Sequence, residues 1–237
     1  MLIIPVLDIS QGHVVHAHKG MRDNYQPVQS RLTTGSDLHE IINAFLSLYP
    51  FEIIYIADLD AIQGHAGNRS LIKSLPGHFP GICFWIDAGA TPEHDLPYHG
   101  VKGFQSILGS ENRLSFKDTS RLLTSQPEPV LSLDFSDYGL IGDQELLHNP
   151  DQWPRRIIAM TMHRVGSSSG PDFEKIQTVL DLAPSKQVFA AGGIRDEQDI
   201  ENLNQCGVAG ILIATALHDL TITYDIISSN AYKKMPR

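Results

Sequence analysis

The sequence is short of most features that would tie a chain to nucleic acid, a membrane or a disulfide scaffold. Only two of its 237 residues are cysteine, Cys83 in an apolar run (GICFWI) and Cys206 near a predicted helix end. Their spacing supplies neither a disulfide framework nor a zinc site, and a reducing cytoplasm is the expected compartment. Basic residues are scarce too: 18 Lys and Arg against 27 Asp and Glu leave a formal net charge of -9. An acidic balance gives no footprint for holding a polyanionic backbone, so nucleic acid is not an expected partner. Long apolar runs are missing. The longest, Val208 to Leu217, is far below a membrane span, and the opening MLIIPVLD lacks a basic n-region and carries a carboxylate at position 8. No linker or low-complexity tract interrupts the chain, so 1–237 reads as one domain, long enough for one α/β barrel.

What is present is a recurring pattern. Short runs rich in β-branched and aromatic residues, each closed by a turn, read as parallel strands buried on both faces. They fall at Leu2 to Leu7, Glu52 to Ala57, Ile82 to Ile86, Gly103 to Leu108, Val130 to Leu133, Arg156 to Met162, Gln187 to Ala191 and Gly210 to Ile213. Helical patterns lie between them at Asp37 to Leu48 behind a Ser36 cap, Asn68 to Leu75, Lys117 to Leu123, Asp151 to Arg155, Asp172 to Leu182, Asp196 to Gln205 and Thr221 to Ile227. The helix after the third strand is poor, because Pro92 and Pro97 break it. Eight strands alternating with helices predict a single (β/α)8 TIM barrel, with a doubly wound open sheet as the competitor.

An internal repeat favours the barrel. GHAGNRSLIKSL resembles SSSGPDFEKIQTVL, FWIDAGAT resembles FAAGGIR, and GVKGFQSILGS resembles GVAGILIATA. The paired landmarks Asn68/Asp172, Gly89/Gly193, Val101/Val208 and Gly109/Ala214 stand 104, 104, 107 and 105 residues apart. Four ordered pairs at nearly one offset argue for a half-barrel repeat, about 1–125 and 126–237.

In such a barrel the strand C-termini share one rim, where chemistry is expected. Asp8 and Asp134 end the first and fifth strands, on opposite sides, and two opposed carboxylates suit general acid and general base work. A lone strand-end Asp often caps a loop, whereas two at equivalent positions point to catalysis. Asp58 and Asp60 (ADLDA) better fit structural hydrogen bonds, with Asp58 kept as a candidate substrate contact.

The run AAGGIRDEQD joins a strand, two glycines and a helix opening, an arrangement in which backbone N–H groups face an anion. With IATALHD after the eighth strand it predicts a phosphate site at Gly192, Gly193, Ala214 and Thr215. The other half offers Gly89, Gly109 and Ser110 as a weaker second anion site. There Asp87 stands where the first site has Ala191 and would repel phosphate, and Thr91 stands where it has Arg195. The long connection from Gln11 to Gly35 reads as a lid or binding loop bringing Arg22, Tyr25 and Arg31 towards a substrate. His163 and Arg164, after the sixth strand, are further candidate contacts. Alternation sets His16 and His18 on one face, yet no metal-ligand spacing accompanies them, so neither metal nor cofactor is expected.

With these residues in view, the chain resembles the histidine-biosynthesis barrels that include phosphoribosylformimino-aminoimidazole-carboxamide ribotide isomerase and the cyclase subunit of imidazole glycerol phosphate synthase. IIPVLDISQGHVVH, IADLDAIQG, LSLDFSDYG, RVGSSSGPD, AAGGIRDEQDI and GVAGILIATALHD carry the likeness nearly end to end. The resemblance implies a duplicated half-barrel, Asp8 and Asp134 as the catalytic pair, and an Amadori rearrangement of a phosphorylated, ribose-like aminoaldose. It also implies phosphate loops at Gly192, Gly193, Ala214 and Thr215 and at Gly89, Gly109 and Ser110. Three departures stand out: Val165 where the isomerase usually has Asp, Met160 where it has Thr, and Asp87-Ala88-Gly89-Ala90-Thr91 where it has Gly-Gly-Gly-Ile-Arg. They make the chain look like a divergent branch, similar to relatives in methanogens and methylotrophs associated with pterin-type one-carbon cofactor synthesis, with a different, single-phosphate substrate. A phosphate-binding subunit without turnover is the reading from another class, and the two retained carboxylates speak against it. A cyclase-like reaction would need an ammonia source, for which the sequence has no motif. The oligomeric state is not legible.

Overall fold

The computed structural model describes residues 1–94, 96–125, 127–167 and 169–230. Eight parallel strands form the barrel wall: β1 (Leu2–Ser10), β2 (Ile53–Asp58), β3 (Cys83–Asp87), β4 (Phe104–Gly109), β5 (Val130–Ser136), β6 (Arg156–Thr161), β7 (Gln187–Ala191) and β8 (Gly210–Ile213). Each pairs with its neighbours in sequence, and β8 returns to β1 in the register Leu2↔Gly210, Ile3↔Ile211, closing the wall. This is a (β/α)8 TIM barrel, as the alternation of strand and helix predicts.

Two strands run past their predicted ends for a common reason. The last residues of β1 pair back on an antiparallel strand, His13–His16, with Asp8 opposite Val15. The last residues of β5 pair likewise with Gly139–Leu140. Asp8 and Asp134 thus both sit where a barrel strand is about to leave the wall in a hairpin, so the half-barrel repeat extends to the surroundings of the two carboxyls.

Alternate side chains along the strands point to opposite faces of the wall, giving two apolar layers. The inner one includes Ile4, Tyr55, Trp85, Ile107, Ile158, Phe189 and Leu212. Trp85 and Phe189 occupy equivalent positions of β3 and β7 and meet edge to face, with ring centroids 5.1 Å apart. They fill the barrel interior and supply part of the floor beneath the rim. The outer layer buries one stripe of each helix. In α1 (Leu38–Leu48) the stripe is Leu38, Ile41, Ile42 and Phe45, the spacing of a single helical face. Truncating Phe45 to Ala there would cost about 3–5 kcal/mol.

The remaining helices are α2 (Arg69–His78), α3 (Phe116–Thr124), α4 (Phe173–Leu182), α5 (Glu197–Cys206) and α6 (Tyr224–Asn230). Their ends correct several expectations. Asp37, not Ser36, caps α1, its carboxylate accepting from His39 N at 2.9 Å and Glu40 N at 3.1 Å. Asn68 precedes α2 without capping it, because its side chain is turned to Asp58 and Asp60. The segment expected to be helical at 151–155 is instead a 3-10 turn, Pro150–Gln152, behind a single helical turn, Glu145–His148. The last predicted helix starts later, at Tyr224, and a short one, Thr215–His218, follows β8. Among the described residues none of 88–103 is helical, in keeping with Pro92 and Pro97. No described helix is long and apolar enough to cross a membrane.

Candidate active site

The C-terminal ends of the strands enclose a cavity of about 240 Å³. Asp8, Asp87 and Asp134 reach it from β1, β3 and β5, and Ala191 and Ile213 from β7 and β8. The predicted catalytic pair therefore shares one cavity. So do the predicted phosphate residues Gly192, Gly193, Ala214 and Thr215.

Asp134 is held from several sides. Its carboxylate accepts from the Ser132 hydroxyl at 2.6 Å, Glu111 N at 2.9 Å and the Ser110 hydroxyl at 3.3 Å. Such bonds favour the ionised form. Burial nevertheless pushes the group up to about 7, helped by the charge of Glu111. Asp8 also rises to about 7, chiefly through burial, with Arg22 pulling it down and Glu111 pushing it up. No side-chain hydrogen bond engages Asp8 among the described residues. Part of its surface is open to the cavity, although its carboxyl lies below the rim.

Asp87, 4% exposed, is the third carboxyl of the floor and climbs to about 8 through burial and the charges of Glu111 and Asp134. Its Oδ2 and that of Asp134 converge, 3.4 and 3.1 Å from the point where a side chain on Gly109 would begin. Sequence reasoning missed two further members. Glu111, in the 3-10 turn Ser110–Asn112 after β4, takes both contacts of the Arg22 guanidinium at 2.7 and 2.8 Å. Tyr55, mid-strand in β2, lines the cavity, and burial and four surrounding carboxylates hold its phenol neutral. Of the two, only Glu111 left a trace in sequence, lying in a rim segment (LGSEN) already singled out for its glycine and serine.

The anion loops of the two halves differ. Gly192 and Gly193 adopt φ of 101° and 83°, in the region that favours glycine. A Cβ on Gly192 would lie 2.7 Å from the carbonyl oxygen of Thr161, and one on Gly193 would overlap that of Gly170. The N–H groups of Gly193, Thr215 and Ala216 have no partner among the described residues, and Arg195 stands beside them, paired with Asp199 at 2.8 Å. In the other half two amides of the glycine loop are occupied. Gly89 N donates to Asp87 Oδ1 at 3.1 Å and Ala90 N to Asn112 Oδ1 at 3.0 Å. Gly89, Gly109 and Ser110, the residues of the weaker anion site, do not line the cavity, and the Ser110 hydroxyl is bound to Asp134.

The loop after β1 lies across the rim. Lys19 N donates to Val165 O at 2.8 Å, and Arg31 N to His218 O at 2.9 Å, so the loop bridges β6 and β8. It delivers Arg22 and Tyr25 to the cavity; the Arg31 side chain does not line it. Its strand ends at His16, leaving His18 beyond it, in contact with Gly166 O at 3.1 Å.

Asp58, His163 and Arg164 do not line the cavity. The Asp58 carboxylate accepts from Asn68 N at 2.7 Å and Asn68 Nδ2 at 2.8 Å and lies outside the cavity, tying β2 to the start of α2. His163 is 3.2 Å from Asp137, and the Arg164 guanidinium turns to the carbonyls of Ser169 and Gly170. The motif they belong to includes Ser168, which lies outside the described residues.

Fold and cavity together define a (β/α)8 barrel of the class that gathers functional groups at the strand C-termini. A family model described as histidine biosynthesis protein matches residues 2–136 and 150–223, and the chain belongs to that family. An uncharacterized protein of Methanocaldococcus jannaschii is 31% identical over 92% of this chain and 93% of its own length. The chain is also similar to two proteins named 1-(5-phosphoribosyl)-5-((5-phosphoribosylamino)methylideneamino) imidazole-4-carboxamide isomerase. That of Elusimicrobium minutum is 28% identical over 94% of this chain and 97% of its own length. That of Streptococcus sanguinis is 23% identical over 96% and 97%.

Proposed function

We propose that the protein is an acid-base enzyme that isomerises a phosphorylated, ribose-like aminoaldose. The observation that supports this most strongly is the pair of carboxyls, Asp8 and Asp134, both raised to about 7 in one cavity. Near neutral pH such a pair readily holds one proton between two sites, which is what simultaneous acid and base catalysis needs. In an Amadori-type step, the protonated carboxyl donates to the ring oxygen as its bond to C1 breaks, and the nitrogen lone pair forms C1=N. The ionised carboxyl then removes the C2 proton. The C–H electrons form C1=C2, the C=N electrons return to nitrogen, and the enaminol becomes the aminoketose when C1 is protonated. Hydrogen moves from C2 to C1, so no oxidant or cofactor enters. The substrate phosphate sits at Gly192, Gly193, Ala214 and Thr215, where unpartnered N–H groups and Arg195 support the assignment.

A second reading keeps the chemistry and changes the substrate: a single-phosphate compound of a divergent branch, in one-carbon cofactor synthesis as the resemblance suggests. The occupied amides of Gly89 and Ala90 favour it. Turnover of sugar phosphates by wild type, Asp8→Asn and Asp134→Asn tests the common core, and undiminished activity in both variants would refute it. Complementation of a histidine auxotroph lacking the isomerase separates the two readings, and incomplete rescue is expected because of Asp87 and Val165.

A further inference from the structure

We propose that the end of the cavity beneath β2, β3 and β4 receives an amino group of the substrate, so that the ligand is a monophosphate with an amine at its far end. This rests on the phosphate reading of the Gly193 end and extends it. Three observations carry it. Two amides of the loop that could hold a second phosphate are already satisfied, Gly89 N by Asp87 and Ala90 N by Asn112. An incoming dianion would have to displace a buried carboxylate from one amide and a side-chain amide from the other. Second, Asp87 spends only Oδ1 on its own loop. Its Oδ2 has no partner among the described residues and converges with Oδ2 of Asp134 over Gly109.

Third, Tyr55, 4% exposed, lines the same cavity and makes no hydrogen bond among the described residues, an unusual state for a buried phenol. The Tyr55 phenol oxygen and Oδ2 of Asp87, neither with a partner among the described residues, lie with Oδ2 of Asp134 in an acceptor-rich pocket. The charge balance selects the donor. Asp8, Asp87, Asp134 and Glu111 line the cavity here, and against them, among the described residues, stands Arg22, one nitrogen of whose guanidinium is bound to Glu111. A neutral polyol would supply donors but bring no positive charge to favour the ionised carboxylates. An ammonium supplies three donors and the missing positive charge. The raised value of Asp87, which the proposed proton transfers do not use, is the expected behaviour of a carboxyl whose counter-ion arrives with the ligand.

The test is calorimetric titration of the wild-type protein at pH 7.5 with three flexible series, each of two to six carbons: aminoalkyl phosphates, hydroxyalkyl phosphates and α,ω-bisphosphates. The series varies length, so it locates the span between the two ends without assuming it. At the best length the amine should bind about tenfold or more tighter than the hydroxyl compound, and the bisphosphate weakest of the three. In Asp87→Asn the advantage of the amine over the hydroxyl should shrink to about threefold or less, while inorganic phosphate binds as in wild type. Equal binding of amine and hydroxyl at every length, or a bisphosphate that wins, overturns the amine pocket and leaves the Gly193 site standing. Absence of binding by every phosphate probe, inorganic phosphate included, overturns both.

Discussion

The loop after β3 and the loop after β7 share one pattern, a strand, a glycine turn and a rim position, and they differ most at the last strand residue. In β7 that residue is Ala191, and Gly192 and Gly193 follow with the Gly193 amide directed to no internal acceptor. In β3 it is Asp87, whose carboxylate folds back on the amide of Gly89. One side-chain carboxyl thus takes up a loop amide that its counterpart leaves free for an anion. The change also reaches across the cavity floor, where burial and the charges of Glu111 and Asp134 raise the proton affinity of Asp87. Asymmetry between the halves is therefore an electrostatic matter, and substitutions on either side should reveal it.

The largest effect is expected where the halves still agree. Asp8→Asn and Asp134→Asn should each lower kcat for the sugar-phosphate substrate by about 10²–10⁴, with phosphate binding intact. Next comes the glycine pair. Gly193→Ala would drive its Cβ into the Gly170 carbonyl at a φ of 83°, so a loss of about 1–3 kcal/mol in stability and about tenfold in phosphate affinity is expected. The partner change, Gly89→Ala, meets Ile62 Cα at 3.1 Å and should cost about 1 kcal/mol, with phosphate affinity unchanged. Urea unfolding and phosphate calorimetry on both variants would break the comparison if the affinities moved together.

The third effect is on pH dependence. Asp87 holds its proton up to about pH 8 when folded, against an ordinary value of 3.8. Between those values the folded chain binds more protons than the unfolded one, so this group makes stability fall as pH rises from about 4 to 8. Asp87→Asn should flatten that slope and gain on wild type progressively from pH 5 to pH 8, by on the order of a few kcal/mol in urea unfolding. Smallest is Ser132→Ala. Removing the 2.6 Å donor from Asp134 should raise that carboxyl further and move its limb of the pH–rate profile upward by about one unit or less.

Much of this was legible before any coordinates. The eight strands could be placed because apolar runs buried on both faces leave few alternatives, and the repeat singled out Asp8, Asp134 and Gly193 by giving each a counterpart. What escaped was what depends on convergence. Tyr55 sits in IIYIAD, where an aromatic among isoleucines reads as core, and only the inward pleat of β2 takes it to the cavity. Glu111 reads as an ordinary first-turn acid until the Arg22 loop folds across the rim to meet it. Asp58 was legible as a structural residue, and a local partner, Asn68, takes its carboxylate.

The difference between the two loops is open to one direct observation: anomalous diffraction from crystals soaked in a heavy tetrahedral oxyanion such as tungstate. One peak against Gly193 and Thr215, with none beside Gly89, is the predicted result. Peaks of equal height at both loops would show that Asp87 does not exclude an anion and would contradict the account.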